Sequence, residues 1–387
     1  MHATYDRPAQ PPSAPRVEWV SELRGFLALY VVLHHASMNI DHSGRRDALW
    51  SGLDAVFGWG HMRVDVFFVL SGFVLALPLV ARPAFGSFTR YMLRRAARLL
   101  PTYYAACAIS LLLVVWLIGE RTGTHWDVSL PVTTSGVVTH LLLIHSWWPQ
   151  YTVQLNHPLW SIAVEFQLGL LLPLLVYACR GIGPWKTIAA ATVVGYVAWR
   201  ASVPFDFPNP SPWGASLYYL SLFAMGVAGA FLYRAKAPVI RPRGTDLAVV
   251  GSIGALMVGW AFAEELRHHA VVLQVQSFFV GAVSLGLILL SRSLRDRDWG
   301  LPGVAGRVMR AIGARSYSLY LIHAPVLQLV WWYVVRPMRL GTAGLQVLWM
   351  LGLGGLAALA AGWLLFALVE QRSLAWSRKV GSDKPSG

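Results

Sequence analysis

The stretch from Arg24 to His35, RGFLALYVVLHH, sets a fixed cation and two titratable imidazoles at the ends of nine uncharged residues. Polar groups in an apolar helix are expensive, so their presence asks for a use. On a helix, eleven steps of 100° return His35 to within about 20° of Arg24, whereas His34 falls about 80° away. Arg24 and His35 therefore share a face, separated by a rise of roughly 16 Å that is too long for them to pair. Two ordinary readings stand beside a functional one. A lone helical histidine is commonly a hydrogen-bonded core residue, and an arginine near a helix end commonly snorkels to the membrane interface.

Further polar groups sit in similar surroundings. HMRVDVFFVLSGF brings Arg63 and Asp65 into an apolar run, either as a local ion pair or as positioning groups. NHPLWSIAVEFQLGLLLP carries Glu165 and Gln167, and a glutamate at that depth is expected to face inward onto a partner. In SYSLYLIHAPV, Tyr320 and His323 fall within about 40° of Ser316 on one helical face. Together these clusters predict a polar cavity lined by several helices. RYMLRRAARLLPTYY adds Arg90, Arg94, Arg95 and Arg98. Such a run can be plain topology signalling. Arg95 and Arg98, three apart, are also neighbours on one helical face, where guanidinium forks grip phosphates.

The elements that must hold these residues are membrane helices. Of 387 residues, 56% are apolar and 13% charged, against roughly 25% charged in soluble chains. Ten apolar runs are long enough to span a bilayer, near 23–40, 64–81, 101–119, 159–179, 187–203, 215–233, 246–263, 270–290, 316–335 and 343–368. With both termini placed in the cytoplasm, the inner segments hold 24 Lys and Arg and the outer loops 6, as the positive-inside rule requires. The net charge of +14 then needs no nucleic acid to explain it. The expected fold is all-α, an integral membrane domain at 21–370 between a disordered cytoplasmic tail at 1–20, without a signal peptide, and a second tail at 371–387. Cys107 and Cys179 both lie inside spans, which argues against a disulfide framework or a cysteine metal site. No repeat, Walker loop or GxSxG elbow occurs, and no metal site is expected. The segment 136–147, GVVTHLLLIHSW, is apolar but too short to cross, and reads as a re-entrant or interfacial helix on the outer side.

These residues resemble the membrane acyltransferase 3 family. Arg24 to His35 is similar to its R-x10-H signature, and RVDVFFVLSGFVL at 63–75 to its second-span motif. Arg95-x-x-Arg98 before LLPTYY resembles its cytoplasmic R-x-x-R motif. LWSIAVEFQLGLLLPLL at 159–175 resembles W-S-L-x-V-E-x-Q-F-Y-L-x-x-P, departing at Phe166 and Leu168. SYSLYLIHAPV at 316–326 resembles the element near the C-terminal end. Five motifs follow in the family's order.

The resemblance implies an O-acyltransferase of the inner (plasma) membrane. It would move an acyl group, most simply acetyl, from cytoplasmic acyl-CoA as co-substrate to a hydroxyl of a carbohydrate or sugar-containing acceptor such as a polysaccharide, a lipid-linked glycan or a macrolide. No permanently bound cofactor is implied. Arg95 and Arg98 would hold the CoA phosphates. His35, roughly 18 Å from the inner end of its span, would be the general base. Glu165 would orient the imidazole or bind the acceptor, and Arg24 or Arg63 would offset charge on the carbonyl oxygen. Direct transfer and an acyl-histidine intermediate are both open. Arg63, Asp65, Tyr320 and His323 are expected to bind substrate or to serve as structural polar groups. No fused extracytoplasmic domain is expected after the last span, so the expectation is transfer by the membrane part alone or with a separate partner. Trp147, Trp148, Trp160 and Trp213 are expected near the outer mouth, as an aromatic belt or as sugar-stacking faces. The competing class is a proton-coupled secondary transporter using the same buried groups, although no inverted repeat supports it.

Overall fold

The computed structural model describes residues 18–41, 44–58, 60–82, 84–202, 216–235, 270–293 and 301–380. Every regular element among them is helical, apart from an isolated bridge between Arg45 and Thr342. Six stretches are long and apolar enough to cross a membrane: Ala48–Val80, Phe88–Ile118, His157–Gly181, Leu217–Arg234, Ser316–Met338 and Ala343–Lys379. The chain is thus a multi-pass helical membrane protein. The span expected at 246–263, Trp213, the N-terminal tail to residue 17 and residues 381–387 lie outside the described residues.

The helices that matter for the site are α1 (Glu18–Met38), α2 (Ala48–Phe57), α3 (His61–Val80) and α4 (Phe88–Leu113). They are followed by α5 (Thr134–Leu141), α6 (Trp160–Gly181), α7 (Pro184–Ser202), α8 (Leu220–Arg234), α9 (Ala270–Ser293), α10 (Gly303–Ala314) and α11 (Ser316–Val330). Lipid offers no hydrophobic drive for helices to associate, so close packing through small residues holds them together. Gly72 of α3 and Gly226 of α8 are such a crossing. A methyl group on either would strike the backbone carbonyl of the other helix, at Phe223 and Val69 respectively. Around it Phe68, Val69, Phe73, Phe223 and Val227 are fully or almost fully buried in the largest apolar cluster. Trp160 belongs to this cluster, its ring 6.3 Å from Phe68 and 5.5 Å from Tyr219. It is therefore a core residue and not part of an outer belt, whereas Trp147 and Trp148 are exposed.

The short apolar segment takes the form of α5, which at eight residues rises about 12 Å, followed by a turn at His145–Trp147. It does not cross. Tyr103 and Tyr104 of α4 cap its carbonyl end, donating to His140 O at 3.1 Å and Leu141 O at 2.8 Å. Gln167 of α6 donates to Leu143 O at 2.6 Å and accepts from Trp147 Nε1 at 3.0 Å. Beneath these clamps His140 and His145 stack, fully buried, with ring centroids 3.7 Å apart. Their segment lies between spans, and burial pushes the His140 imidazole down to about 4.

Candidate active site

Two polar regions are built on the same pair of helices. Arg24 donates to the Ser316 hydroxyl at 3.3 Å, and two to three turns further along both helices His35 meets His323. Helices α1 and α11 thus run side by side in the same direction, with Arg24 in one region and His35 in the other.

The first region is a cavity of about 510 Å³. Its charged lining is Arg24, Arg82, Arg90, Arg94, Arg95 and Arg98, opposed by the two carboxylates of Glu165 and Glu370. Most of this charge comes from the first turns of α4, whose start is capped by the Ser87 side chain accepting from Arg90 N. Arg95 turns inward and is buried. Its guanidinium contacts Glu165 twice, the carboxylate at 3.3 Å and the backbone carbonyl at 2.8 Å. Gly169, one turn further along α6, leaves room for it: a Cβ there would lie 2.6 Å from Arg95 Nε. Arg90, Arg94 and Arg98 are exposed in the cavity mouth. Glu370 is held by Ser318, whose backbone N donates to it at 3.1 Å. An apolar flank of Leu70, Val74, Leu75 and Leu79 completes the chamber. Fixed cations over an apolar wall suit a polyphosphate carrying a less polar arm.

The second region gathers five imidazoles. His34 and His35 come from the end of α1, His323 from α11, His157 from the turn before α6 and His125 from the loop after α4. Ring centroids lie 5.0 Å from His35 to His323, 4.9 Å to His157 and 6.2 Å to His125. No three of the described His, Cys, Asp or Glu groups are arranged to hold a metal ion.

Hydrogen-bond logic fixes the tautomers. His323 Nδ1 lies 2.7 Å from Tyr320 O, a carbonyl that can only accept, so Nδ1 carries the proton. In the neutral ring Nε2 is then the acceptor, and it lies 2.7 Å from His35 Nδ1. His35 Nδ1 must therefore donate, which leaves His35 Nε2 with a free lone pair. This is the arrangement a general base needs: one nitrogen anchored, the other open. His323 is completely buried, while His34, His35 and His125 keep some accessible surface. Asn39, one turn past His35, and Thr124, next to His125, both donate to Gln328 Oε1, at 3.0 and 2.7 Å, and tie the cluster's far end shut.

The expected site residues fall into three groups. His35, His323 and Tyr320 lie together; Tyr320 bonds Ser161 at 2.8 Å, and its ring stands 5.7 Å from His323. Arg24, Arg95, Arg98 and Glu165 lie together in the basic cavity. The expectation that Glu165 orients His35 is not met, because Arg95 and Ser71 (2.8 Å) occupy that carboxylate and His323 takes the orienting position. Arg63 and Asp65 belong to neither region. Two residues apart on a helix, they point in nearly opposite directions: Arg63 lies 3.0 Å over the Tyr30 ring, and Asp65 meets Ser277 of α9. Neither His125 nor His157 is singled out by the sequence; only the fold shows that the irregular segments carrying them close on His35.

Comparison with known proteins groups the chain with acyltransferases. Acyltransferase MdmB of Streptomyces mycarofaciens is 27% identical over 97% of this chain and 95% of its own length. Peptidoglycan O-acetyltransferase OatA of Listeria monocytogenes is 25% identical over 70% of this chain, and putative O-acetyltransferase SACOL0978 of Staphylococcus aureus 23% over 71%. The matches cover 46% and 47% of those two relatives, so the chain spans about half their length. No solved structure matches. The description "Acyltransferase domain" fits residues 17–367, nearly the whole chain, and the protein belongs to that acyltransferase family.

Proposed function

We propose that this protein is a membrane O-acyltransferase that takes an acyl group, acetyl in the simplest case, from acyl-CoA and gives it to a hydroxyl of a carbohydrate or glycosylated acceptor. The observation that carries the reading is the pairing of a six-arginine cavity with a histidine whose Nε2 is free, on opposite ends of one helical face. The names of the relatives point to O-acetyl transfer, including transfer to peptidoglycan for one of them. The basic side is proposed to face the cytoplasm, where acyl-CoA is made, with both termini on that side of the plasma membrane.

Arg90, Arg94 and Arg98 bind the nucleotide phosphates as exposed cations. Arg95, locked by Glu165, gives the cavity a rigid inner wall. The pantetheine arm runs along the α1 and α11 face, covering the rise of roughly 16 Å between Arg24 and His35. Phe67 lines the cavity and its ring stands 6.4 Å from Tyr320, so this aromatic pair lies between the two regions and must part to admit the thioester. The acceptor hydroxyl gives its proton to His35 Nε2 as its oxygen attacks the thioester carbon. His323 holds the resulting imidazolium through His35 Nδ1.

The test uses membrane vesicles carrying wild type or His35→Ala, with radiolabelled acetyl-CoA on the basic side and label counted in extracted glycan and lipid fractions. Base-labile label with wild type and none with the variant is expected. Equal labelling by both would remove His35 from the mechanism. Absence of label from folded wild type, with acetyl and longer acyl-CoAs and several acceptors, would overturn acyl transfer altogether.

A further inference from the structure

The histidine cluster supplies a base but, at first sight, nothing to hold the negative charge that forms on the thioester oxygen. The two expected cations are elsewhere: Arg24 lines the basic cavity and Arg63 stacks on Tyr30. A buried tetrahedral intermediate without a donor would be costly, since one such donor contributes about 10²–10³ in rate where it has been removed from other enzymes.

His157 has an unspent donor. Its residue is 7% exposed, and its Nε2 is buried with no hydrogen-bond partner among the described residues. The protonation of that atom follows from Ser129. Ser129 is completely buried, and its Oγ accepts from the His157 backbone N at 3.1 Å. The only described acceptor for its own hydroxyl proton is His157 Nδ1, also at 3.1 Å. A buried hydroxyl left without an acceptor is disfavoured, so Ser129 donates to Nδ1. The neutral His157 ring then carries its proton on Nε2. The ring stands edge-on to His35, centroids 4.9 Å apart, and at the same distance from His125.

We infer that His157 is a second catalytic residue, its Nε2–H being the oxyanion donor for acyl transfer. This rests on the acyltransferase reading given above. The two tautomers are complementary: His35 presents a lone pair and His157 an N–H on neighbouring rings. As the acceptor oxygen bonds to the thioester carbon, the hydroxyl proton passes to His35 Nε2, and the carbonyl electron pair moves onto oxygen opposite His157 Nε2–H. When that pair returns, the carbon–sulfur bond breaks, the CoA thiolate leaves with its electrons, and the proton on His35 Nε2 neutralises it. An N–H buried without a partner is a standing penalty in the empty protein. The carbonyl oxygen relieves it, more strongly as charge develops.

Three variants separate catalysis from architecture, each assayed with labelled acetyl-CoA after its acetyl-CoA Kd has been measured in detergent. His157→Gln keeps an amide N–H near the Nε2 position and is expected to retain at least a tenth of wild-type kcat. His157→Leu loses the donor and is expected to fall 10²–10³-fold in kcat with Kd within threefold. Ser129→Ala frees the tautomer and should fall between them. Leu and Gln variants equal to each other, whether both active or both dead, would overturn the assignment. If neither variant binds acetyl-CoA, ¹⁵N-histidine NMR on wild type decides: a proton on Nε2 of His157 and on Nδ1 of His35 supports the inference, and a proton on Nδ1 of His157 ends it. Wild type that binds acetyl-CoA but transfers to no acceptor would take down the acyltransferase reading and this inference with it. Transfer by wild type and by His157→Leu alike would remove only the inference.

Discussion

The basic cavity and the histidine cluster share two helices yet are made of opposite materials. The cavity is open and charged, with four of its six arginines exposed and only Arg95 fully sequestered, against Glu165. The cluster is mostly enclosed, and the protons of His323, His35 and His157 are placed by the Tyr320 carbonyl, the His323 ring and the Ser129 hydroxyl in turn. Exposed cations hold a polyanion at any reasonable pH and tolerate imprecise placement. Proton transfer needs the reverse, a few neutral groups fixed within hydrogen-bond reach. The separation along α1 and α11 lets affinity and chemistry be set independently.

That independence can be broken by variants on one helical face. His35→Ala should lower kcat by 10³-fold or more with acyl-CoA binding unchanged, because the only open lone pair of the His35–His323 pair is removed. Arg98→Ala should do the opposite, raising KM for acyl-CoA about tenfold with kcat at saturation nearly kept, since its charge acts on binding in ground and transition state alike. Raising salt should mimic Arg98→Ala and leave the His35 defect untouched, because exposed charges are screened within roughly 8–10 Å. If both variants change kcat alone, the cavity and the cluster are one site and the division fails.

His323 sharpens the same contrast at a second level. His323→Leu removes the acceptor for His35 Nδ1–H while leaving His35 in place, and frees the ring to turn or to take the other tautomer. A loss of about 10²-fold in kcat is expected, with acyl-CoA Kd unchanged. His323→Gln, whose amide oxygen can still accept, should recover part of it. A structural role alone would lower expression or melting temperature equally in both variants and leave the pH profile of the remaining activity as it was.

Helical periodicity placed Arg24 and His35 on one face and Arg95 beside Arg98, because both relations are local and a helix fixes them. It placed Tyr320 and His323 on the same face as Ser316, and the three contact Ser161, His35 and Arg24 in turn. It also found most of the spans. Periodicity says nothing about which helix stands opposite, and there the reading failed. Glu165 was expected beside His35 but meets Arg95, since the rotation of α6 is set by Gly169 making room for a guanidinium. His125 and His157 arrive on irregular backbone, where no period exists to extrapolate. A signal was present for His157: it stands in NHPLW, directly ahead of the motif that carries Glu165.

The smallest expected effect tests whether that failure has the stated cause. Gly169→Ala adds one methyl group, changes no charge and lies in the cavity wall. Its Cβ would stand 2.6 Å from Arg95 Nε and 2.9 Å from its Cζ, so the guanidinium must shift away from Glu165. Because a long side chain can move by a few tenths of an ångström at modest cost, the consequence should be mild: KM for acyl-CoA up about two- to fivefold, kcat within twofold. If instead kcat falls with KM unchanged, the Arg95–Glu165 pair is coupled to the histidines, and the two regions are mechanically linked despite their separation. If nothing changes, even with Arg95→Ala raising KM strongly, Gly169 is not what fixes the facing of α6. The orientation of Glu165 would then have to come from the apolar packing of Leu168 and Leu172, both buried on the same helix.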